Sequence, residues 1–126
     1  MPDAIFDLTS RVLHKAMDCA SVQHRVAAQN LANLETPGYR ARAVSFEARL
    51  RDAVRAEAGG GEGSVERVRP ELRATGDPPG PSGNNVSIEA EMLSAGEAIG
   101  RYQALTRLLD RRLQMIGTAI GDGRSG

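Results

Sequence analysis

The chain has little of what builds a dense globular core. It has no tryptophan, two phenylalanines and two tyrosines in 126 residues, against 14 glycines and 6 prolines. That balance argues against a thick single-layer core. A lone cysteine, Cys19, excludes an intramolecular disulfide and, by itself, a cysteine-based zinc site. Inside a helical pattern it reads as a small apolar residue. The two histidines, His14 and His24, fall on different faces of a helix, and only Asp18 stands one turn from His14, so no metal site is expected. No cofactor is expected either. Gly59-Gly60-Gly61 follows no strand and precedes no Gly-Lys-Ser/Thr, so it is not a phosphate loop. Glu89/Glu91 and Asp7/Asp18 lie on helix surfaces, Cys19 lacks an activating partner within a turn, and no catalytic residue is assigned.

Charge of one sign is missing too. Sixteen basic and sixteen acidic side chains cancel, which removes the electrostatic argument for nucleic acid or an anionic membrane surface. Fifteen of the basic residues are Arg and one is Lys15, a bias that suits interface ion pairs. No apolar run approaches the ~18 residues of a membrane span, so no direct membrane insertion is expected. Asp3 and Asp7 stand where a secretory signal carries basic residues, and no apolar core follows them. On composition alone the chain reads as cytoplasmic.

What is present is helical periodicity, interrupted once with emphasis. From about Asp3, a plausible N-cap, to Asn33, the positions Phe6, Ser10, Leu13, Met17, Ala20, His24, Ala27, Leu31 and Leu34 alternate steps of four and three. Val12, Ala16, Cys19 and Val26 widen the stripe. Then comes Asn30-Leu31-Ala32-Asn33-Leu34-Glu35-Thr36-Pro37-Gly38-Tyr39. Pro37 ends the helix near Asn33, and Pro37-Gly38 reads as the centre of a type II turn. Asn33 is placed to take a left-handed conformation at the helix end. Residues 44–57 form a weaker helix candidate around Phe46, Leu50 and Val54. Val65–Arg69 reads as a short strand or extended segment before Pro70, and Gly76–Asn85 as a mobile loop.

The second long helix is the clearest periodic signal. Ser87 caps it, and Glu89 and Glu91 suit the positive end of its dipole. Ile88, Met92, Ala95, Ile99, Tyr102, Thr106, Leu109, Leu113, Ile116 and Ile120 hold a four-three alternation until Gly121 and Gly123 stop it. Gly96 and Gly100 cost about 1 kcal/mol each relative to alanine and leave a shallow groove. Two such helices paired antiparallel bury only their facing sides, so apolar surface remains that one chain cannot cover. The fold class is therefore mainly α and elongated. Long terminal helices, 1–34 with 86–121, form a coiled-coil-like domain, the inner one by the resemblance given below; 35–85 is an irregular, partly extended middle segment, and 122–126 a disordered tail.

Residues 30–39 resemble the N-terminal signature of the bacterial flagellar axial proteins, the rod, hook and hook-associated subunits. Arg25–Gln29 before it, Arg40–Phe46 after it, and Gly83-Asn84-Asn85-Val86-Ser87-Ile88-Glu89 leading to Arg101-Tyr102 extend the likeness towards the small proximal-rod members. It covers about 5–50 and 83–120. Ala43 stands where these proteins often carry an acidic residue, which removes any salt bridge made there.

The resemblance implies a structural subunit, not an enzyme, that polymerises into the drive shaft between the membrane base ring and the distal rod and hook. Implied partners are itself, other rod proteins, the base ring with its rod-junction protein, and the flagellar type III export apparatus. It further implies export without a cleaved signal and residence in the basal body, in the periplasmic space. The subunit-packing seam would be Phe6, Leu13, Met17 and Leu31 with Ile88, Met92, Ile99, Tyr102, Leu109, Leu113, Ile116 and Ile120. Phe46-x-x-x-Leu50 is similar to an export signal of early flagellar substrates. A soluble helical adaptor, binding a partner helix at Gly96/Gly100, is the rival from a different class.

Overall fold

The computed structural model describes residues 2–61 and 64–125, with side chains over 8–61 and 64–121. Phe6 and the side chains of 122–126 lie outside that range. In chain order the elements are α1 (Pro2–Ala32), β1 (Arg42–Ser45), α2 (Glu47–Ala58), a 3₁₀ turn (Val65–Arg67), β2 (Glu71–Ala74) and α3 (Ile88–Ser125). At 1.5 Å per residue α1 is about 46 Å long and α3 about 57 Å, so the molecule is elongated and mainly helical.

The two long helices run antiparallel. Asn84 at the root of α3 bonds to Asn33 at the end of α1, Ser94 meets Gln23, and Ala98 meets Ala20 further along. Small residues hold this contact: Ala20, Ala27 and Ala98 are buried in it or beside it. The main apolar core lies on the other side of α1. There Cys19, Phe46, Leu50, Val65 and Val68 are buried together, with Leu8, Val12, Ala16, Val44, Ala53 and Val54 packed around them. So the residues that widen the α1 stripe serve a second face. The middle segment is a folded layer on α1, and α3 has no residue in its core.

Several element boundaries differ from the sequence reading. Asp3 lies inside α1, because the helix already begins at Pro2. Val44 and Ser45 belong to β1, and α2 starts only at Glu47. The extended segment expected at Val65–Arg69 begins as a 3₁₀ turn over Val65–Arg67, with extended backbone at Val68. Its three-residue repeat places Val65 and Val68 on one side, both in the core. The strand follows Pro70 instead, pairing antiparallel with β1 in the register Arg42–Ala74, Val44–Leu72 and Ser45–Glu71. Gly121 and Gly123 do not stop α3, which continues to Ser125; glycine in a helix weakens it without ending it.

Candidate functional site

The motif at 30–39 builds a joint. Asn30 is fully buried. Its Nδ2 donates to the Arg42 carbonyl at 2.8 Å, and its Oδ1 accepts from the Tyr39 hydroxyl at 3.1 Å and the Arg42 amide at 3.2 Å. A helix residue thereby caps the open edge of β1, where the chain leaves the turn. The turn itself is type II in character: the Tyr39 amide donates to the Thr36 carbonyl at 3.2 Å, and Gly38 has φ +75°. Asn33 is not left-handed; among the described residues only glycines have positive φ. It closes the helix with its side chain instead, donating to the Gln29 carbonyl at 2.8 Å and accepting from Thr36 Oγ1 at 3.1 Å. Leu31 is half-buried, while Ala32, Thr36, Pro37 and Gly38 are exposed at the tip.

Two asparagines from the far end of the chain complete the joint. Asn84 Nδ2 donates to the carbonyls of Asn33 at 2.8 Å and Thr36 at 2.7 Å. Asn85, buried, accepts from the Ala41 amide at 2.6 Å and donates to the Asp77 carbonyl at 3.1 Å, while its own amide reaches the Tyr39 carbonyl at 3.3 Å. The Gly38 amide donates to the Ser82 carbonyl at 2.9 Å. Gly83 has φ +82°, and a Cβ there would meet Gly38 Cα at 3.3 Å, so both conformation and space require glycine. The loop expected to be mobile is tied along its length. Sequence reading found the Asn84-Asn85 pair only through its resemblance; nothing in its spacing reveals that it bonds to residues 33–41.

Ion pairs fasten the elements elsewhere. The Arg11 guanidinium on α1 holds Glu66 of the 3₁₀ turn through Nε and Nη2 and Glu57 of α2 at 2.7 Å. The bond from Arg11 is the main reason that the Glu66 carboxyl is lowered to about 2. Arg73 and Arg49 share Glu71, and the Arg73 bond leads in holding that carboxyl below the ordinary range. Ala43 pairs in register with this same Arg73, which takes its acidic partner from its own strand. Burial raises the Cys19 thiol, as expected of an inert core residue.

The C-terminal seam is turned outward. Ile88, Met92, Ile99, Tyr102, Leu113 and Ile120 are exposed large apolar residues, with Leu109 and Ile116 half-buried. On α1, Leu13 and Met17 are half-buried. The face that α3 presents to α1 is offset from the seam, through Glu91, Ser94 and Ala98. Between the helices Ala20, Ser21, His24, Ala98, Ile99 and Tyr102 line an open groove of about 280 Å³. Gly96 and Gly100 face open space. Phe46 and Leu50 are buried in the core. Among the described residues no cluster of metal ligands occurs, and no helix is long and apolar enough to cross a membrane.

Known proteins with similar sequences decide the family. The chain is 31% identical over 119 residues to the flagellar basal body rod protein FlgB of Cereibacter sphaeroides, a match covering 84% of this chain and 88% of that protein. The chain belongs to the FlgB family of flagellar basal body rod proteins. FlgB of Bacillus subtilis (strain 168) is 27% identical over 128 residues, spanning 96% of this chain and 99% of that one. FlgB of Borrelia hermsii is 36% identical over 50 residues, covering 40% of this chain. No family model matches. The FlgB relatives are named for a place in a structural assembly, consistent with a site made of main-chain ties and an apolar seam.

Proposed function

We propose that this chain is a structural subunit of the proximal rod. It would polymerise with copies of itself and other rod proteins into the shaft between the base ring and the distal rod and hook. The observation that carries this reading is the apolar seam left uncovered along α3, from Ile88 to Ile120, in a chain of the FlgB family. Six large apolar side chains on one side of a helix are more than a monomer gains from exposing. Contacts of the seam with neighbours that repeat without closing build a helical shaft. The base ring, its rod-junction protein and the type III export apparatus are partners on this reading, with the basal body in the periplasmic space as the location. As an export signal, Phe46-x-x-x-Leu50 would be legible only before folding, because both side chains enter the core.

The adaptor alternative would seat a partner helix at Gly96 and Gly100, which face open space in the single chain. Ile99→Asp and Leu113→Asp test the rod reading, since both positions are exposed in the single chain. Each variant should fold with the parent's helical circular dichroism yet abolish swimming and rod assembly. Normal motility with either variant would overturn the proposal.

A further inference from the structure

Over its first four turns, 88–102, α3 is rotated about its axis away from what burial of apolar surface would select; further along, Leu105, Leu109 and Ile116 are half-buried on the face of Ala98. Ala98 is buried towards α1, while its neighbour Ile99, about 100° round the helix, remains exposed with Met92 and Tyr102 on the same flank. Rolling α3 by about a quarter turn would bring Ile88, Met92 and Ile99 against α1 and turn Ser94 away. At roughly 25 cal/mol per Å² of apolar surface, that roll is favoured unless something opposes it. Where α3 crosses Ala20 and Ala27, the alanines at the contact offer no ridge to resist it. What does hold the observed phase is polar. Gln23 Nε2 on α1 donates to the carbonyl and Oγ of Ser94 at 3.4 and 3.3 Å. Arg101 Nη1 donates to Gln23 Oε1 at 3.3 Å and to Glu47 Oε1, on α2, at 2.9 Å.

We propose that Arg101, Gln23 and Glu47 form a rotational lock that keeps the apolar flank of α3 turned outward in the free subunit. Glu47 is suited to anchor it: its other carboxylate oxygen accepts from the Phe46 amide at 3.3 Å, tying it to the start of α2. The lock joins α3 to both α1 and α2. Its geometry stands independently of the rod reading. Its purpose, to present the seam to a neighbour instead of burying it within the chain, rests on that reading.

Peroxide oxidation of methionine, followed by mass spectrometry on the isolated full chain, reads the roll directly. Met92 and Met115 are both more than half exposed, on different flanks of α3. In Arg101→Gln, Met92 oxidation should slow about two- to five-fold relative to Met115, the range expected for losing an exposed ion pair. Glu47→Gln should give the same change, and the double variant no more than either single one. An unchanged ratio in both single variants would overturn the lock, as would effects that simply add. If Arg101→Gln failed to fold, all methionines would oxidise alike, and Glu47→Gln alone would decide. Assembly plays no part in this measurement, so its failure leaves the rod reading standing.

Discussion

Asn30 shows how one residue type serves a whole junction. A buried amide must satisfy both its donor and its acceptor side, and Asn30 does so with the main chain of Arg42 and the hydroxyl of Tyr39. Asn30→Ala removes these partners from a buried site, and each orphaned group costs about 1–3 kcal/mol. The expected result is a clear fall in the thermal midpoint. Asn30→Asp should fall as well, because the oxygen that replaces Nδ2 cannot donate and sets a buried negative charge against the Arg42 carbonyl. Equal midpoints for Asn30→Ala and the parent would contradict the joint. At this scale the sequence was informative about Pro37-Gly38, whose turn conformation is local. It misled about Asn33, because a side-chain bond to Gln29 and a left-handed backbone answer the same need at a helix end.

At the scale of elements, periodicity located both long helices without saying which partner covers which face. A wide stripe on α1 tells that two faces are buried, not which partner takes which; Val12, Ala16 and Cys19 went to the middle segment. The strands were missed because they are four residues each and their pairing is non-local. The clamp of Arg11 on Glu57 and Glu66 joins three such elements and carries a pH signature. The Glu66 carboxyl titrates at about 2 when folded, against an ordinary value of 4.5. A lowered folded value contributes stability fully above 4.5 and loses it as pH falls towards 2. Acid titration followed by hydrogen exchange should therefore loosen Val65 and Val68 between those limits. Glu66→Gln should remove the Glu66 contribution to that pH dependence, and the unchanged parent profile in Glu66→Gln would contradict the clamp.

For the whole molecule, the uneven distribution of burial carries the functional meaning. One side of α1 holds a small complete core, while α3 lies across the other side with most of its large apolar residues uncovered. A monomer that spends its hydrophobic surface this way is a component. Electron cryotomography of cells lacking this gene, and of the same cells with it restored, is the most direct test. A base ring bearing no rod in the deletion, with the rod returning on restoration, is the result expected. An intact rod and filament in its absence would contradict the proposed role.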